Sequence, residues 1–258
     1  MRSVWNGSIS FGLVSIPVKV FPGSEERRLD LDMLDKRDLS RIRYKRVNEK
    51  TGKEVEWGDI VKGYKKDESY IVLEDEDFEQ ANMKKSKTID IEEFVDEEEV
   101  AEVLFKKPYF LKPAKDGEKS YQLLLKALTK TKKLGVATFV MRQKEHLTLI
   151  GVYEEVLVLY LIRFLDEIRD PAELEVPGAK VGKKEVDMAI SLIEQYTSSF
   201  DFSKYKDVYN EQLMKIIETK ESGKSSKVEQ VDTTPTAASD LMEKLKASLE
   251  RKKSRKAS

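Results

Sequence analysis

The stretch that decides the fold is Gly7-Ser8-Ile9-Ser10-Phe11-Gly12-Leu13-Val14. Ile9, Phe11 and Leu13 alternate with small residues, and Val14, Ile16, Val18 and Val20 then alternate on the other parity. A period of two marks a strand with one buried face. The parity switch beside Gly12 suits a bulge or a bend at a barrel corner. Pro17 cannot donate to a ladder and argues for an edge or a strand break. Three rival readings are weaker. Only Arg2 supplies a basic residue and no unbroken apolar run follows it, which speaks against a secretion signal. Asn6-Gly7-Ser8 matches a glycosylation sequon, but without secretion the match is chance. The glycine spacing is not that of a dinucleotide-binding loop.

Strand-like runs recur outward from this stretch. Ser69 to Leu73, Lys87 to Phe94, Val136 to Met141, Leu147 to Tyr153 and Val156 to Phe164 are all rich in β-formers. Tyr121, Leu124, Leu125 and Leu128 lie at helical spacing within Glu118 to Lys133, and Gly135 stops that run. Strands, one helix, then more strands favour an antiparallel sheet or barrel over alternating βαβ units. The character changes after Arg169-Asp170-Pro171. Val186, Ala189, Ile190, Ile193 and Tyr196 give one amphipathic helix, and Tyr209, Leu213, Ile216 and Ile217 give another. Residues 222–239 read as a linker, Leu241, Leu245 and Leu249 mark a short helix, and the chain ends on the basic residues Arg251, Lys252, Lys253, Arg255 and Lys256.

Composition narrows the chemistry. Of 258 residues 40% are hydrophobic and 37% charged, and there is no cysteine, so neither a disulfide framework nor thiolate chemistry is available. The cytosol is the natural compartment, and no apolar run reaches the length of a membrane span. The lone histidine, His146, lacks the partners that a serine triad or a two-histidine metal site needs. Gly223-Lys224-Ser225 resembles the end of a phosphate loop, but Glu218 stands where the first glycine belongs. The acidic run Asp96 to Glu99 reads as a solvated helix start rather than a Mg²⁺ site, because adjacent carboxylates do not converge on one ion unaided.

Net charge is -1, with 47 basic and 48 acidic residues, yet the signs segregate. Arg41, Arg43, Lys45, Arg46, Lys50, Lys53, Lys62, Lys65 and Lys66 face only Glu49, Glu54, Glu56 and Asp59 within the same stretch. Arg41 to Val47 reads as one limb of a hairpin, Asn48 to Lys53 as its turn, and Val55, Trp57 and Ile60 to Tyr64 as the return. Such a unit offers cations to a polyanion. It is equally the solvated face of an edge strand, where lysine guards against aggregation. Tyr44, Trp57 and Tyr64 read as hairpin packing rather than base-stacking platforms.

Several stretches together resemble the Ku family in its bacterial form. They are Trp5-x-Gly-Ser-Ile-Ser-Phe-Gly-Leu-Val-x-Ile-Pro-Val-Lys19, Arg41-Ile-Arg-Tyr-Lys-Arg-Val47, Asp59-Ile-Val-Lys-Gly-Tyr64, Phe139-Val-Met-Arg-x-Lys-Glu-His-Leu147, Arg169-Asp-Pro-x-Glu-Leu174 and Phe200-Asp-x-x-Lys-Tyr205. They occur in order from about Arg2 to Lys220. The resemblance implies a mixed, β-dominated fold: an antiparallel β-barrel over residues 1–170, an inserted DNA-encircling arm at about 40–70, and a C-terminal helical arm over 171–221 that supports a dimer. Residues 222–258 follow as linker, short helix and basic tail. It further implies a ring-shaped homodimer that binds double-stranded DNA ends in non-homologous end joining and recruits DNA ligase D, acting at the nucleoid in the cytoplasm without catalysis of its own. The nine arm cations are the expected DNA contacts, and the five tail cations a possible supplement. Some relatives carry Cys-x-x-Cys at the arm turn; Asn48 and Thr51 stand there, so no zinc and no other cofactor is expected. The competing reading is a metal-dependent DNA end-processing nuclease on the same basic groove.

Overall fold

A computed structural model describes residues 1–26, 29–81, 87–142 and 144–223. It divides into two compact units, Met1–Pro171 and Ala172–Ser258. The first unit is built on a closed barrel. Its strands are β1 (Trp5–Phe11), β2 (Val14–Pro22), β5 (Thr88–Asp96), β6 (Phe105–Pro113), β7 (Lys133–Met141), β8 (Lys144–Tyr153) and β9 (Val156–Ile162). Around the barrel they run β1-β2-β6-β9-β8-β7-β5. Two further strands, β3 (Lys62–Lys66) and β4 (Ser69–Leu73), form a separate two-stranded sheet, and a short helix α1 (Asp75–Ala81) follows them. Every barrel pair is antiparallel except β1 with β5. An odd number of strands cannot alternate direction all the way round a closed ring, so one parallel joint is a topological necessity.

The opening stretch proves to be two strands rather than one bent strand. Phe11 pairs with Val14, which leaves Gly12-Leu13 as a two-residue hairpin turn. Gly12 has φ +56°, and Leu13 does not share the positive φ. This is the turn type that takes glycine at its first central position and matches the twist of the flanking strands. The parity switch therefore marks a reversal of the chain. Gly7 is needed for a different reason: a Cβ there would lie 2.1 Å from the Lys87 carbonyl oxygen and 2.2 Å from the Trp5 ring. Trp5 is itself held, since its Nε1 donates to the Val140 carbonyl at 3.0 Å and its ring meets Phe139 edge-on. Pro17 sits inside β2, one residue before the ladder with β6 begins at Val18.

Inward-facing residues of every strand fill the barrel, among them Ile9, Ile16, Val18, Val20, Ile89, Leu111, Ile150, Leu157 and Leu159, all essentially inaccessible to solvent. Helix α2 (Glu118–Thr131) closes one mouth. It touches β2, β7 and β8, strands from separate parts of the ring. Its stripe of Tyr121, Leu124, Leu125 and Leu128 is buried in the same core, as the helical spacing predicts. The Tyr121 hydroxyl donates to the Leu111 carbonyl at 2.7 Å and accepts from the Leu157 amide at 2.8 Å. Leu111 and Leu157 are partners at the end of the β6–β9 ladder, so one phenol satisfies the last groups of both strands. Burial pushes the Tyr121 phenol above its ordinary pKa and so keeps it protonated as a donor. Tyr121→Phe is expected to lower unfolding free energy by about 1–3 kcal/mol, the cost of leaving a buried polar group unpaired. Urea denaturation measures it.

A second apolar layer lies on the barrel wall, where Leu134, Leu149 and Ile162 pack with Val95, Val100, Leu104 and Phe105. The acidic run predicted as a helix start is a single 3-10 turn, Glu97–Glu99, and the Asp96 carboxylate is taken by Lys133 at 2.8 Å. In the second unit, α3 (Lys183–Tyr196) and α4 (Val208–Glu221) are joined through a short 3-10 turn at Phe202–Lys204. None of the described residues 172–223 is buried.

Candidate nucleic-acid interface

The chain leaves the barrel after Pro22 and rejoins it at Thr88. Among the described residues of this excursion none is buried. The excursion brackets the segment 40–70 and carries all nine predicted cations, each exposed. Local polar contacts shape it. The Asn48 side chain accepts from the amides of Lys50 and Thr51, the Val55 amide donates to the Arg46 carbonyl at 2.9 Å, and Gly52 takes φ +67°. Asp35 binds the Arg37 guanidinium, whose side chain holds the Asp35 carboxyl below its ordinary pKa.

The turn at Asn48 to Lys53 forms, but the return does not pair as the sequence suggests. Val47 bridges Glu54 in isolation, and Leu34 bridges Arg41. Lys62–Lys66 pairs instead with Ser69–Leu73, in the register Lys62 to Leu73 through Lys66 to Ser69. The two-residue turn Asp67-Glu68 is shorter than the route back to Arg41, so the nearer partner wins. Tyr44 and Trp57 lie outside any strand and Tyr64 pairs with Ile71 in the β3–β4 ladder, so the three do not pack together as one hairpin face; they are 80%, 76% and 65% exposed.

The cations divide into two groups. Four have partners: Arg41 pairs with Asp32, Lys45 with Glu54 at 2.6 Å, Arg46 lies 4.5 Å from the Trp57 ring centroid, and Lys62 lies 4.3 Å from that of Phe78. Arg43, Lys50, Lys53, Lys65 and Lys66 make no ion pair among the described residues. Strand alternation puts Lys62 and Lys66 on one face of β3 and Lys65 on the other. Reading from charge alone missed Asp32, which engages one predicted contact from outside the basic run, and Tyr70, 68% exposed and packed across Gly63. The tail cations Arg251, Lys252, Lys253, Arg255 and Lys256 lie outside the described residues.

Other candidate chemistry is thin. His146 is half-buried beside Phe139, and burial pushes its pKa below the ordinary value. No group of three His, Asp or Glu side chains among the described residues is placed to hold a metal ion. No helix among them is long and apolar enough to cross a membrane.

The described residues thus form a closed, packed barrel with an exposed excursion that carries the basic run Arg41 to Lys66. Its family is shown by comparison with known proteins: the model of the Ku70/Ku80 β-barrel domain matches residues 10–188, and this chain belongs to the Ku family. It is 41% identical over 254 residues to the non-homologous end joining protein Ku of Opitutus terrae, covering 96% of this chain and 91% of that one. The corresponding protein of Archaeoglobus fulgidus is 40% identical over 259 residues, covering 97% and 99%. That of Bacillus subtilis is 36% identical over 258 residues, covering 97% and 82%.

Proposed function

We propose that this chain binds double-stranded DNA ends, without sequence preference and without catalysis of its own, in non-homologous end joining. In this reading it acts as a homodimer whose two arms close a ring around the duplex, at DNA breaks in the cytoplasm, and it recruits DNA ligase D. The observation that carries the reading is the arm itself. Among the described residues it has no buried side chain, it exposes cations that have no carboxylate partner, and it exposes large apolar side chains beside them. A polyanion accounts for the first set and a second protomer for the second. Contacts made by lysine and arginine to phosphate position a duplex but do not read its bases, which suits a protein that must accept any end.

Ring closure makes topology the source of end preference. Linear duplex is therefore expected to bind at least a hundredfold tighter than a covalently closed circle of the same sequence. Filter binding with both DNAs measures it, and equal affinity for the two would sink the ring.

A further inference from the structure

We propose that the outer face of α2 is a second phosphate-binding surface, one that takes a DNA duplex other than the one held by the arm. This rests on the end-binding reading above and extends it to the second end that joining requires. The inner stripe of α2 is fixed in the barrel mouth, so its outer face is rigidly presented. At 100° per residue, Lys119, Leu123, Lys126 and Lys130 fall within about 60° of one another, on the side opposite Leu124, Leu125 and Leu128. All four are exposed, Leu123 by 65%. None of the three lysines makes an ion pair among the described residues. From Lys119 to Lys130 the helix rises about 16 Å, a few phosphate spacings along one strand of a duplex.

The cationic surface continues onto the barrel wall. Lys19 and Lys112 face each other directly across the β2–β6 ladder, both exposed. Like charges in directly opposed positions destabilise a sheet, and an anion shared between them removes that cost. Lys112 and Gln122 line one open groove, and Gln122, Lys126 and Lys130 line the next. Glu154 and Glu155, on the β8–β9 turn, line both grooves as well, which confines the polyanion to the crest of the helix.

The register sets the arm's exit back from this surface, while its return at Thr88 pairs with Ser8, whose partner Pro17 lies beside the start of α2. Val18 pairs with Pro113 at the end of β6 that leads into α2, whereas Pro22, where the arm leaves, pairs with Tyr109 farther back along β6. The Gly12-Leu13 turn and the β8–β9 turn share the α2 end, and the Met141–Lys144 turn lies at the other. The surface also needs no free end, since it only has to meet a backbone from outside.

The test is the variant Lys119→Glu/Lys126→Glu/Lys130→Glu in the full chain, with Lys→Gln at the same positions as a milder companion. The wild-type protein, loaded on an immobilised linear duplex, is expected to retain a labelled closed circle. The Glu variant should keep its affinity for short linear duplex within about twofold and lose at least tenfold in circle retention. The salt slope of retention should fall by about 2.7, or 0.9 for each of three phosphates, and the Gln variant should lie between. Unchanged circle retention overturns the proposal. So does an equal loss for short linear duplex, which places the lysines in the end-binding surface. A loss confined to long linear duplex overturns it too, by assigning the stripe to the flank of the held DNA. If wild-type protein fails to prefer linear over circular DNA, the ring reading falls, while the effect of the α2 variant on circle retention is still measured.

Discussion

Replacing Arg43, Lys50, Lys65 and Lys66 together by glutamate is expected to cut affinity for a duplex end by about a thousandfold at physiological salt. These four are exposed, and none is engaged by a carboxylate among the described residues. Each phosphate neutralised by such a side chain releases about 0.9 counterion, so each contact near 0.15 M salt is worth roughly a factor of five. Four contacts multiply to about a thousand, and reversing their sign adds repulsion. The log-log salt slope should fall by about 3.6. Fluorescence anisotropy across a salt series reads both quantities. The paired group Arg41 and Lys45 is the internal control, because Asp32 and Glu54 already neutralise them. Per residue, the same substitutions there should cost far less. A comparable loss per residue from both groups would mean that net charge, not the arrangement of the arm, drives binding.

How far the sequence discloses this molecule depends on which contacts decide each element. The β1 and β2 strands and α2 were legible because one face of each is buried, and burial imposes a period. The end of the first strand is not legible in the same way. A parity switch is what a bulge and a tight hairpin have in common, and only the pairing of Phe11 with Val14 tells them apart. Strand β6 carries no readable alternation. Its run Phe105-Lys-Lys-Pro-Tyr-Phe-Leu-Lys-Pro113 includes two prolines and three lysines, and it becomes a strand because β2 and β9 pair on either side of it. In the arm the basic residues were legible as composition, while their division into engaged and unengaged cations was not. That division depends on Asp32, nine residues from Arg41, and on β3 choosing β4 as its partner. The absence of a core removes the periodic signal that makes a barrel strand readable.

The substitution Ile190→Asp/Ile193→Asp is expected to turn the proposed homodimer into a monomer while leaving the barrel's thermal transition in place. Val186, Ile190 and Ile193 share about 60° of α3 and are 42%, 48% and 66% exposed. A helix in a soluble protein buries such a stripe, and none of the described residues of this unit is buried. A twofold interface doubles any change, so the variant places four carboxylates against apolar surface. An uncompensated buried charge costs about 3 kcal/mol or more, and every 1.4 kcal/mol is tenfold in dissociation constant. Even half the nominal sum weakens the dimer by about four orders of magnitude. Within the helix itself, aspartate for isoleucine costs only a few tenths of a kcal/mol, so α3 still forms. Sedimentation velocity gives the mass, and the conservative pair Ile190→Val/Ile193→Val should remain dimeric. The monomer should also lose its preference for linear over circular DNA, because one arm alone closes no ring. A variant that stays dimeric would move the interface to the apolar side chains of the arm, among them Leu39, Trp57 and Val61. A monomer that still prefers linear DNA would instead show that a single arm grips the terminus directly.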